Sequence, residues 1–342
     1  MIEILKELSV LPGISGRERA VRDYIINKVS GLNSESSSTD VKVMPTGSVV
    51  VFKKGAKIPK TKMMIAAHMD EIGLIVTSIT DDGMLKFDTV GGISPSVFPG
   101  CAVMCGEGLF PGVIGVPPIH LTAESDKGKA PKSSSLYIDI GAREKREAEK
   151  RVKPGDVCVF DSSFESFGDK LLKGKALDDR AGCAVLLDIL SRDLPFDLWF
   201  AFTTMEEVGL RGAGCAANAV NPDVAIIVEA TTAADLPGVA PENRVCRVGG
   251  GAVVGFMDRQ TIYDRGLYES SLRIAGEKKI PVQIKSAIAG SNDAGAISRS
   301  GGGVRTLAVS LPCRYIHSPA SVIAESDLES VRELVFELVQ SL

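Results

Sequence analysis

Aromatic residues are scarce, 5% of 342 residues with a single tryptophan, too few to line the groove that sugar-binding enzymes use. A basic block is also missing. The densest cluster, Arg143 to Lys153, is interleaved with glutamates and reads as a solvated helix. With a formal net charge of −4, no nucleic-acid partner is expected. No apolar run approaches the roughly 18 residues of a membrane span. The opening MIEILKELSVLPG lacks the basic and apolar regions of a secretory signal, so no membrane association is expected. CxxC spacing is absent from the seven cysteines, and Cys183 and Cys215 sit inside apolar runs, as buried free thiols do. A reducing compartment, the cytoplasm, fits this usage. HExxH, GxSxG and P-loop motifs are missing too, and Gly249–Gly251 and Gly301–Gly303 miss the GxGxxG spacing.

What is present reads as a globular chain of two domains, 44% hydrophobic and 24% charged. Residues 2–10 carry a helical period, and Ser15-Gly16-Arg17-Glu18 has the spacing of a capping box opening a helix to about Val29. Ser34 to Ser38 is a polar loop. Val49–Phe52 and Met63–Ala67 are strands, the second apolar enough for burial on both faces. From Gly73 to about Asp161, short β-prone pieces alternate with turns, the rhythm of a small all-β unit, with a polar stretch at Thr122–Ser135. Helix and strand alternation resumes after Gly174, through strands Leu198–Thr204, Ala225–Val228 and Thr306–Leu311 to a closing helix Glu325–Gln340. The fold class is therefore α/β: a catalytic domain from residues 1–72 and 162–342, interrupted by a β insertion at 73–161.

Only three histidines occur. His68 follows the strand Met63–Ala67, and His317 follows Thr306–Leu311 across a short loop. Glu206-Glu207 follows Leu198–Thr204, and Glu229 ends Ala225–Val228. Ligands in open α/β sheets bind outside the carboxyl ends of strands. Four strands would thus deliver two imidazoles and three carboxylates to one rim, a donor set for zinc, cobalt or manganese. In His68-Met69-Asp70 the outer residues share a face of an extended segment, so Asp70 can accept the imidazole N–H opposite a metal. Asp178-Asp179 opens a helix, where one aspartate can cap while the other ligates. Adjacent glutamates behind so apolar a strand need cations or raised pKa values. His120, inside the β insertion, reads as structural or interfacial.

The segments AAHMDEIGLIV (66–76), GKALDDRAGCAVLL (174–187), EEVGLRGA (206–213), NDAGAI (292–297) and RYIHSP (314–319) resemble, in order, those of the M42 metallo-aminopeptidases, the glutamyl/leucyl or tetrahedral type. The resemblance runs over essentially the whole chain. It implies a mixed sheet flanked by helices, of di-zinc exopeptidase type, and a β-barrel insertion of PDZ-like topology. It also implies two divalent ions, most simply Zn²⁺ with Co²⁺ or Mn²⁺ as alternatives. Asp178 would bridge them, His68 and Glu229 would complete one, and Glu207 and His317 the other. Glu206 would be the general base and Asp70 the residue orienting His68. The implied substrates are short peptides with a free N-terminus, and the implied assembly is a dodecamer built from dimers. Glu229 stands where the family usually has aspartate, and Asn292 where threonine is common. Two rival functions share parts of this reading: a metal-dependent deacylase of N-acyl amino acids, and a glycoside hydrolase using Glu206 with a second carboxylate.

Overall fold

The computed structural model describes residues 1–32, 39–121, 128–285 and 287–341. The apolar spacing of the first residues forms α1 (Ile2–Val10), which buries Leu5 and Leu8. Helix α2 (Arg19–Ser30) buries Val21, Ile25 and Val29 at the four-residue interval of one helix face. Next come β1 (Thr39–Val43), β2 (Val49–Lys53) and β3 (Met63–His68), the last buried at every residue. Strands β4 (Gly73–Ile79), β5 (Leu85–Val90), β6 (Ala102–Cys105), β7 (Phe110–Gly115) and β8 (Tyr137–Asp139) follow. A short α3 (Lys145–Ala148) leads into β9 (Val157–Phe160), and these six strands close a barrel in the order β4-β5-β8-β7-β6-β9. Of the polar stretch Thr122–Ser135, residues 122–127 lie outside the described residues, and Ser133–Ser135 form one 3₁₀ turn. The polar loop expected at Ser34–Ser38 also lies outside them.

Beyond the barrel run β10 (Glu165–Phe167), β11 (Leu171–Gly174), α4 (Leu177–Leu190), β12 (Leu198–Thr203) and α5 (Arg211–Val220). They are followed by β13 (Val224–Thr232), β14 (Ala252–Val254), α6 (Arg265–Lys278), β15 (Val282–Ile284) and α7 (Ala294–Ile297). The chain closes with β16 (Arg305–Cys313), β17 (Ser321–Ala324) and α8 (Glu325–Ser341). The main sheet has the mixed order β1-β2-β12-β3-β13-β16-β14-β15, and β10-β11-β17 make a small second sheet. Strands β12, β3, β13 and β16 are mutually parallel, so their carboxyl ends open on one rim.

Register decides what stands on that rim. Thr203 pairs with His68 and Ile227 with Ala66, which sets Glu229 level with His68. Strand β13 runs past the expected end at Val228 because β16 stays paired beside it to Cys313. Glu229 is thus a residue inside a strand, opposite Ser310, and not a strand terminus. The sheet core includes Phe200 and Phe202 and is covered by α4 and α8, while the barrel has its own core around Leu74, Phe98, Ile114 and Ile138. Each such side chain contributes about 1.5–3 kcal/mol when fully buried, so the rim rests on a stiff base. No helix among the described residues is long and apolar enough to cross a membrane.

Candidate metal centre

All five expected ligand residues meet on the rim. Asp178 divides its carboxylate between two imidazoles: Oδ1 is 3.3 Å from His68 Nε2 and Oδ2 is 3.3 Å from His317 Nε2. Glu229 Oε1 stands 3.6 Å from the same His68 nitrogen, and Glu207 Oε2 stands 3.3 Å from that of His317. Ligand atoms of His68, Asp178 and Glu207 lie within 4.8 Å of one another, and so do those of His68, Asp179 and Glu229.

The imidazole tautomers follow from what lies behind each ring. His68 Nδ1 is 3.0 Å from the backbone carbonyl of Asp70 and 3.4 Å from the Asp70 carboxylate. His317 Nδ1 is 2.9 Å from the carbonyl of Gly92. A carbonyl only accepts, so both Nδ1 atoms carry the proton and donate. Each Nε2 lone pair then faces carboxylate oxygens, which repel it unless a proton or a cation lies between them.

Buried carboxylates surround this pair. Burial pushes Glu206 well above the ordinary range, helped by Glu229, Asp293 and Glu207. Burial likewise raises Glu229 to about 8 and Asp293 to about 6. Asp178 moves the other way: burial opposes its charge, but hydrogen bonds from His317 and His68 outweigh it. Against its own burial, His317 is raised to about 11 by its contacts with Asp178 and Glu207. Glu207 Oε1, Asp179 Oδ2 and Asp293 Oδ1 are buried with no hydrogen-bond partner among the described residues. The carboxylates favour a proton on each Nε2, and orphaned carboxylate oxygens beside these nitrogens are a donor set in which divalent cations can take the place of those protons.

Local backbone presents these groups. Asp179 Oδ1 accepts the N–H of Gly182 at 2.9 Å and so caps α4, which leaves Asp178 free to face the imidazoles. Ala176, Met205, Leu210 and His317 all have left-handed φ values between 54° and 58°. Such conformations cost non-glycine residues about 1–2 kcal/mol each and persist where surroundings over-determine them. A cleft of about 450 Å³ opens over Asp178, Glu206, Glu207, Glu229 and His317, with Asp258, Lys285 and Asn292 farther along its wall.

Two residues at the site, Gly92 and Asp293, carry no sign of their place in the sequence, whereas Asp179 takes the capping role open to either aspartate of its pair. Gly92, just beyond β5 of the barrel, holds His317 through a backbone carbonyl, which no side-chain pattern announces. Asp293, inside the NDAGAI segment, is buried and accepts from Thr203 Oγ1. Asp179 offers a free oxygen besides its cap. His120 lies in a 3₁₀ turn, exposed and outside the cleft.

Known proteins resemble this chain in sequence and fold. The family model described as M42 glutamyl aminopeptidase matches residues 47–334. A protein of Acetivibrio thermocellus provisionally named an aminopeptidase is 37% identical over 344 residues, covering 99% of this chain and 98% of its own length. Among solved structures, aminopeptidase APDkam598 from the archaeon Desulfurococcus kamchatkensis superposes with a TM-score of 0.93 at 34% identity, covering 100% of this chain and 94% of the other. The TET1 peptidase of Pyrococcus horikoshii, which can assemble into a tetrahedron or a large octahedral shell, gives 0.87 at 36%, covering 100% and 99%.

Proposed function

The chain belongs to the M42 glutamyl aminopeptidase family, and on that basis we propose that it is a metal-dependent aminopeptidase releasing residues singly from the free N-terminus of short peptides. The observation that carries this reading is the division of Asp178 between His68 and His317, each with its own glutamate. Two divalent cations, zinc or alternatively cobalt or manganese, would be held by His68, Asp178 and Glu229 on one side and Asp178, Glu207 and His317 on the other. When bound, such cations polarise a carbonyl and make water a stronger acid.

The protein's own groups supply the remainder. The carbonyls of Asp70 and Gly92 fix the two rings, and the Asp70 carboxylate holds the backbone that carries Glu206 and Glu207. Glu206 accepts the proton of the attacking water at its carboxylate and delivers it to the leaving amine. Glu206 must begin as the carboxylate, and divalent charge nearby would offset the burial that raises its pKa. The carboxylate-rich cleft would receive a basic amino terminus, and acetylation abolishes that basicity. An unblocked pentapeptide should therefore be shortened residue by residue while its acetylated form stays intact, as followed by mass spectrometry. Rapid hydrolysis of the acetylated peptide would move the protein to the deacylases.

We also read the barrel as a PDZ-like domain inserted at residues 73–161 between segments 1–72 and 162–342, serving assembly of dimers into a dodecamer. The support is the assembly of the TET1 peptidase, similar over its full length. Light scattering should give a native mass many times the 36.1 kDa of one chain. A strictly monomeric protein would remove the assembly role and leave the site chemistry standing. Seven free cysteines agree with a cytoplasmic setting.

A further inference from the structure

The capping-box pattern at Ser15–Glu18 does not cap a helix. Helix α2 begins at Arg19 with no side-chain cap at its amino end. Ser15 Oγ instead donates to Asp70 Oδ2 at 2.7 Å. Glu18, 6% exposed, accepts at Oε1 from the N–H of Gly16 at 2.7 Å and from the N–H of Met205 at 3.1 Å. Met205 immediately precedes Glu206. Asp70 takes the next two amides, Glu206 N–H at 3.0 Å and Glu207 N–H at 3.1 Å. Three consecutive amides of the turn are therefore held by two buried carboxylates, one of them 187 residues away in sequence.

That turn needs holding. Met205 and Leu210 are left-handed non-glycine residues at its two ends; within it the N–H groups of Gly209 and Leu210 close on the Glu206 carbonyl, and those of Arg211 and Gly212 on the carbonyls of Met205 and Thr204. These bonds hold carbonyls of the turn and leave the amides of residues 205–207, on either side of the Glu206 side chain, to Glu18 and Asp70. Glu18 gives up a helix cap to hold one of these amides, a local rule broken where function requires it.

We propose that Glu18 is a positioning residue for the reaction: by accepting the Met205 N–H it fixes the left-handed entry to the turn and aims Glu206 into the cleft. This rests on the reading of Glu206 as base. The acceptor oxygen is what matters, so variants that keep it should behave unlike variants that lose it. Glu18→Gln retains an oxygen at the same reach and should keep kcat within about threefold of wild type. Glu18→Met keeps the volume and loses the acceptor; kcat should fall about 10- to 100-fold, as small misplacements of reacting groups do, with KM within about twofold. If Glu18→Met fails to fold, Glu18→Asp, which withdraws the oxygen by one methylene, carries the same expectation. Combining Glu18→Met with Glu206→Gln should add little to Glu206→Gln alone, since both remove one function. An inactive Glu206→Gln beside a fully active Glu18→Met, or equal losses in Glu18→Met and Glu18→Gln, would overturn the positioning role alone. Retained activity in Glu206→Gln would overturn the base assignment and this inference with it.

Discussion

Replacing Glu206 with glutamine should lower kcat by about 10²–10⁴-fold, the usual worth of general-base assistance, while KM and metal content stay near wild type. The amide is isosteric, and the two imidazoles face Asp178, Glu229 and Glu207, so the ligand cluster should survive. What is lost is a proton acceptor in the wall of the cleft. Glu207→Gln makes the contrasting control, because Glu207 faces His317 Nε2 and its substitution should lower bound metal. Steady-state kinetics with elemental analysis of each purified variant separates the two glutamates. A Glu206→Gln enzyme with more than about a tenth of wild-type activity would remove the base from the mechanism.

Exhaustive chelation should abolish hydrolysis, and zinc, cobalt or manganese should restore it. The cause is electrostatic: buried carboxylates and imidazole nitrogens converge within a few ångströms, and divalent charge relieves the repulsion among the carboxylates. Stripping should also lower the thermal midpoint, because a ligand bound only by the folded state stabilises it, by about 4 kcal/mol at a thousandfold excess over Kd. His68→Ala and His317→Ala should each reduce metal content, since the two rings face different glutamates. Full activity in a metal-free preparation would exclude the mechanism and favour a glycosidase that uses carboxylates alone.

Much of the ligand cluster was legible because its residues are marked by type and by place. Histidine is rare in this chain, and His68 and His317 both follow apolar strands. Parallel strands bring their carboxyl ends to one rim by topology alone, so strand ends and polar residues together locate a site. Glu229 shows the limit. It looked like the end of a strand because its neighbours turn polar, yet β16 keeps β13 paired to Thr232. The Ser15–Glu18 pattern failed for a related reason: Ser15 turns to Asp70, and Glu18 takes the distant Met205 amide together with that of Gly16.

By itself the sequence determined the α/β alternation, the β-rich interruption and the identity of the ligand-type side chains, since hydropathy period and residue chemistry are local properties. Tertiary structure alone decided which aspartate of the 178–179 pair caps and which faces the imidazoles, because that choice depends on the φ and ψ angles at the start of α4. It decided that a barrel backbone, at Gly92, orients His317, since a carbonyl carries no mark in the sequence. It also decided that Glu18 and Asp70 share the amides of residues 205–207. Hydrogen bonds between segments more than a hundred residues apart depend on how strands stack and loops close, which no single stretch of sequence contains.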